Sequence, residues 1–133
     1  MQVAKGLTLF DKIWNDHVVS QADDGSCLLY IDRVFLHERT GSLALASLTS
    51  NGRKTKNPKH VFCTMDHIVD TYKGRNDKTA IPGGTEFIQV LRKHATSEGL
   101  TLFELGDPRQ GISHVVAAEQ GIALPGCIVI CPD

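Results

Sequence analysis

The chain has 133 residues, 41% hydrophobic and 22% charged, the mix of one globular domain large enough to bury a core. Lys and Arg number 14 against 15 Asp and Glu, so a formal charge of -1 offers no electrostatic attraction to nucleic acid or an anionic membrane surface. No apolar run approaches the ~20 residues of a membrane span, and the start MQVAKGLTLFDKIW lacks a secretory signal's apolar stretch and cleavage site, so a cytoplasmic setting is expected.

Thr8 followed by Leu9, Phe10, Ile13 and Trp14 at helical spacing predicts a first helix, with Thr8 as N-cap and Asp11 suited to the helix dipole. Asp23-Asp24-Gly25-Ser26 predicts a turn. Cys27-Leu28-Leu29-Tyr30-Ile31 then begins a continuous apolar run, as in a strand covered on both faces. Ser42 to Ser50 reads as a short helix ended by Asn51-Gly52, and 52–59 as a basic, proline-containing loop. His60 to Met65 is a second predicted strand, and 72–84, with its charges, Gly74, Pro82 and Gly83-Gly84, is an excursion. The clearest helix runs from Thr85 to Ser97, where Phe87, Val90, Leu91 and His94 mark one face and Gly99 closes the end. Thr101 to Leu105 is a third strand, Gly106-Asp107-Pro108 a turn, and Ile112 to Glu119 a short helix closed by Gly121. After Leu124-Pro125-Gly126 comes a fourth strand, Cys127 to Cys131.

Strand and helix alternation of this kind predicts a single three-layer α/β/α domain over residues 1–133 with a mainly parallel sheet. Ligand sites in such sheets lie beyond the carboxyl ends of the strands. Polar residues collect at the predicted ends: Asp32, Arg33, His37 and Glu38 after the first run, Asp66 and His67 after the second, and Asp107, Arg109, Gln110 and His114 after the third. The fourth run ends in Asp133. In Asp66-His67 a carboxylate beside an imidazole can fix its tautomer and raise its basicity, as proton transfer near neutral pH requires, or the pair can simply cap a turn. Arg33 can fork a substrate carboxylate or pair with Asp32 or Glu38. His114 can serve in a site or as a structural histidine.

The four cysteines are too sparse for a secreted disulfide framework. Cys127 and Cys131, four residues apart on a predicted strand, would hold their sulfurs roughly 13 Å apart. Thiolates sharing an ion each sit ~2.3 Å from it, so this pair does not form a metal site and the thiols are read as buried and inert; a mononuclear zinc site of His37, His67 and His114 with a carboxylate stays open as a lesser alternative.

The segments LLYIDRVFLHE, VFCTMDHIVDT, RQGISHVVAAEQGIALPG and IVICPD resemble, in order and spacing, the start of 3-isopropylmalate dehydratase large subunits of the aconitase superfamily. The resemblance covers nearly the whole chain, and its TMDH and QGIxH…EQGxxLPG motifs are specific. It implies an aconitase-type first domain and a hydro-lyase that interconverts 2- and 3-isopropylmalate by dehydration and rehydration in leucine biosynthesis. It also implies a [4Fe–4S] cluster, a dicarboxylate substrate, and as partners the rest of the large subunit and a separate small, swivelling subunit. His67, with Asp66 beside it, resembles the histidine that assists departure of the hydroxyl. His114 resembles a second active-site histidine, supported by an aspartate matching Asp133. His37 falls where relatives place a substrate-contacting glutamine. In relatives Asp133 would be followed by Ser-His-Thr and, far downstream, by the cluster-ligating cysteines. A truncated, N-terminal portion without bound cluster, inactive alone, is therefore expected. The alternative is a carboxylate-binding or assembly module without chemistry.

Overall fold

The structure, a computed structural model, describes residues 6–132. Helix α1 (Leu9–His17) starts where expected, because the Thr8 hydroxyl accepts from the Asp11 N–H while the Asp11 carboxylate accepts from the Thr8 N–H. Strands β1 (Val18–Gln21) and β2 (Cys27–Leu29) follow as an antiparallel hairpin around Gly25, whose φ of +84° suits a residue without a Cβ. Next come β3 (Arg33–His37), α2 (Glu38–Ser50), β4 (Val61–Thr64, entered through a 3-10 turn at Pro58–His60), α3 (Gly84–Glu98), β5 (Thr101–Phe103), α4 (Ser113–Glu119) and β6 (Val129–Ile130).

Strands β5-β4-β3-β6 form one sheet in that order, and every pairing is parallel. Side chains alternate across it. Leu36, Val61 and Cys63 point to the face covered by α2 and α3, where they join Leu45, Ile88, Leu91 and Ala95 in the larger core. Phe35 and Phe103 point to the other face, meet edge to face at 6.3 Å between ring centroids, and pack against Val116 of α4 and Ile122. The three layers are therefore those expected, with an all-parallel main sheet.

One boundary differs in a way that moves a residue. The apolar run Cys27–Ile31 is the outer arm of the hairpin, not a strand of the main sheet; the first parallel strand is the shorter run bracketed by Arg33 and His37. A five-residue apolar run carries no signature distinguishing a hairpin arm from a central strand. His37 consequently lies at the carboxyl end of β3, whereas Asp32 and Arg33 lie at its amino end.

Helix α2 starts four residues before the expected Ser42, directly out of β3. Gly41 disguised this first turn, since glycine is a poor helix former. Its reason is contact: a Cβ there would stand 2.8 Å from the Leu36 Cβ. In an open helix Gly→Ala gains ~1 kcal/mol. Here overpacking outweighs that gain, and Gly41→Ala is expected to lower stability by about 1–3 kcal/mol in urea unfolding; a stabilised variant would contradict the packing described.

Helix α1 buries no residue and is tied to the domain by His17. Nδ1 faces the Ile13 carbonyl oxygen and Nε2 the Asp32 carboxylate, each at 2.7 Å. Two acceptors on one ring favour imidazolium, so the His17 pKa is raised, first by the carbonyl and then by Asp32. Asp32 is lowered, first by the Ile128 N–H it accepts and then, against the cost of burial, by His17. A raised histidine stabilises fully below its ordinary value of about 6.5 and loses that contribution as pH climbs through the raised one. The stability gap between wild type and His17→Gln should thus be widest in mildly acidic buffer and close with alkalinity. A gap that grew with pH in urea titrations would reverse the assignment.

Candidate active site

The carboxyl edge of the sheet is organised by a glutamate that the sequence offered among the polar residues at a strand end and as an ion-pair partner for Arg33. Glu38, the first residue of α2, is fully buried, and its carboxylate takes three consecutive backbone N–H groups from the segment after β4. Oε2 accepts from Asp66 at 3.0 Å, and Oε1 from His67 at 2.8 Å and from Ile68 at closer range. A chain leaving a strand has no ladder partners for these N–H groups, and a buried unpaired N–H costs ~1–3 kcal/mol. The carboxylate answers all three together and fixes where the Asp66 and His67 side chains emerge.

Asp66 Oδ1 stands 2.8 Å from His67 Nδ1, and Oδ2 accepts the Ser113 N–H at 2.6 Å. The aspartate is nearly buried at 4% side-chain exposure and the histidine is 25% exposed, so the dyad turns its imidazole outward and keeps its carboxylate inside. An ionised carboxylate only accepts, so Nδ1 carries a proton and the ring is fixed in that tautomer.

Beneath His67 lies His37. The rings stack with centroids 3.6 Å apart and planes inclined by 12°. His37 is fully buried; its Nε2 donates to the Pro132 carbonyl at 2.6 Å, and Thr40 Oγ1 bridges the same carbonyl at 2.8 Å and the ring nitrogen at 3.0 Å. His37 thus presents a ring face to His67, and its Nδ1 is buried without a hydrogen-bond partner among the described residues.

Of the residues expected in the site, the fold brings together His37, Asp66 and His67. Ser113 opens α4 against Asp66, so His114, on an exposed position one residue later, belongs to the same edge. Arg33 does not. Because β3 starts at Arg33, its guanidinium lies at the far end of the strand, donates to the Gly121 and Ile122 carbonyls at 2.6 and 2.8 Å, and covers the Phe62 ring. The sequence placed it after a strand that proves to be a hairpin arm. Asp133 lies outside the described residues. Asp107 and Arg109 pair with each other; the guanidinium and backbone N–H of Arg109 hold the Asp107 carboxyl down at about 2. Thr40 and Ser113 were missed, and Glu38, noted only among the polar residues at a strand end and as a partner for Arg33, was given no part in holding the site.

Could the site hold a metal? His37, Asp66 and His67 are the one set of three ligand side chains within reach of a single ion among the described residues. An ion ~2.1 Å from an imidazole nitrogen lies in the plane of that ring, and two stacked, nearly parallel rings share no such point. As arranged, the rings do not ligate one ion together. The cysteines are no better suited. Cys27 lies in the hairpin, Cys63 in the middle of β4, and Cys127 and Cys131 on either side of β6. Burial pushes the Cys63 thiol up to about 12, aided by the charge of Glu98, so it stays protonated. These residues do not fit an iron–sulfur cluster.

Residues 11–133 match the family profile of the aconitase family (aconitate hydratase).

The Glu38 clamp has a stability test. Glu38→Ala removes the acceptor of three N–H groups and should cost about 3 kcal/mol or more in urea unfolding, while Glu38→Gln, which keeps one carbonyl acceptor, should cost less, about 1–2 kcal/mol. An alanine variant within ~0.5 kcal/mol of wild type would show that the carboxylate does not hold the segment.

Proposed function

The chain belongs to the aconitase family, and from there we propose that it supplies the proton-donating wall of a hydro-lyase acting on 2- and 3-isopropylmalate, as 3-isopropylmalate dehydratase does in leucine biosynthesis. The carrying observation is the Asp66–His67 dyad, held at the carboxyl edge of a parallel sheet by Glu38 and backed by the stacked His37. Family membership supports a dehydratase-type reaction; the choice of isopropylmalate rests on the likeness of LLYIDRVFLHE, TMDH and QGIxH…EQGxxLPG to that enzyme's large subunit.

Hydroxide is a poor leaving group, so elimination needs a proton delivered to the departing oxygen. Asp66 holds the His67 Nδ1–H, and from the imidazolium the Nε2 proton goes to the hydroxyl as the C–O bond breaks, releasing water. On rehydration the same nitrogen takes a proton back from water as a new C–O bond forms. His37, sealed beneath, keeps the His67 ring in one plane. His114 acts as the second acid–base imidazole, with Asp133 as its carboxylate. The base that removes the carbon-bound proton, and the ligands of the family's cluster, come from the remainder of a large subunit and a small subunit. The 133 residues alone are therefore inactive. Exposed Leu9, Phe10, Val19 and Leu28 on α1 and its hairpin support a covering polypeptide. A cytoplasmic setting belongs to the same reading; no helix among the described residues is long and apolar enough to cross a membrane.

In the assembled, cluster-loaded enzyme His67→Gln should lower kcat for isopropylmalate by about 10²–10⁴-fold with KM little changed. Rates are followed by the ultraviolet absorbance of the unsaturated intermediate acid. Turnover within a few-fold of wild type would refute the role of His67 and leave a binding or assembly module as the better account.

A further inference from the structure

Beside the dyad lies a cavity of about 170 Å³ lined by Asp66, Asp70, Arg75 and Gln110 together with the apolar Val69 and Ile112. Its only cation is Arg75, in the excursion between β4 and α3. Three other arginines have their forks engaged, Arg92 by Asp77 and Glu104, Arg109 by Asp107 and Arg33 by two carbonyls, while Arg39 and Arg53 stand exposed on the surface. Arg75 is half-buried against the cavity. Its Nη2 donates to the Gln110 side-chain oxygen at 2.6 Å, and no carboxylate among the described residues pairs with it. Gln110 is anchored in turn, its amide donating to the Met65 carbonyl one residue before Asp66. Asp70, also in the cavity wall, accepts from Thr79 Oγ1 and the Ala80 N–H.

A neutral amide orients a guanidinium without cancelling its charge. The rest of the fork then faces a cavity too small for a drug-sized molecule and large enough for the carboxylate end of one. We propose that Arg75 is a substrate-binding residue that takes one carboxylate of the dicarboxylate substrate and presents the neighbouring carbon to His67. This rests on the hydro-lyase reading for the identity of the substrate but not for the existence of the carboxylate site. Asp66 and Asp70 share the wall but are turned to their own partners, Asp66 to His67 and Ser113 and Asp70 to Thr79 and Ala80, so Arg75 is the one cation an incoming carboxylate meets there.

Malonate is the probe, titrated into the isotope-labelled full chain at constant ionic strength, with sodium chloride as the screening control. Saturable chemical-shift changes are expected at the Arg75 side chain, Gln110, Gly111 and Asp70. Arg75→Gln should weaken the apparent Kd at least about tenfold, and Arg75→Lys, which keeps the charge but not the fork, should fall between. His67→Gln should leave malonate binding within about threefold, the level below a clear energetic effect, so a failed reaction reading and a failed binding site give different results. Absence of saturable shifts, shifts centred elsewhere, or an unchanged Kd in a dispersed, folded Arg75→Gln spectrum would each overturn the assignment. Should that variant unfold, Arg75→Lys decides: affinity equal to wild type means the fork is not used.

Discussion

A single buried carboxylate holds the working edge of this domain in place. Glu38 stands where β3 becomes α2, and the segment it grips is the exit of the neighbouring strand β4. Two adjacent strand ends are thus locked to each other by side chain to backbone bonding just where the ladder that joins them has run out. Asp66, His67 and the cavity beside them inherit their positions from that lock. A charge this deep would be costly if unpaired, and three N–H donors compensate for lost hydration better than one mobile cation, because they come with the fold and do not exchange with solvent.

Much of the architecture was legible beforehand. The period of three to four in Phe87, Val90 and Leu91 located α3 within a residue at either end, and the short apolar runs located β4 and β5. What failed was the choice between Cys27–Ile31 and Val34–Leu36 as the first parallel strand, since both are short, apolar and flanked by polar residues. That choice decides which end of β3 a residue occupies, so it kept His37 in the site and took Arg33 out. The start of α2 was hidden for another reason: Gly41 answers to the approach of Leu36 and not to helix propensity.

The site residues divide similarly. Asp66 and His67 were visible because an acid next to an imidazole at a strand end has a chemical meaning at once. The positioning work of Glu38 and Ser113 was not, because it is done by side chain to backbone bonds between residues far apart in sequence: Glu38 accepts the Asp66 N–H, and Ser113 gives its own N–H to Asp66. Arg75 was invisible for the opposite reason. Within a charged, glycine-containing excursion it looks like any solvated arginine, and only the geometry shows that its partner is an amide while Arg92, on the helix that follows, is saturated with acids.

The high position of the Cys63 thiol has a practical side. Zero exposure and a pKa near 12 deny it both contact with reagents and the thiolate form that they attack. Alkylating agents and mild peroxide will therefore mark partly exposed Cys27 and Cys127 long before they reach the centre of the sheet. Labelling of Cys63 would then serve as an internal clock for opening of the α2–α3 layer, with no dye or mutation added to the protein.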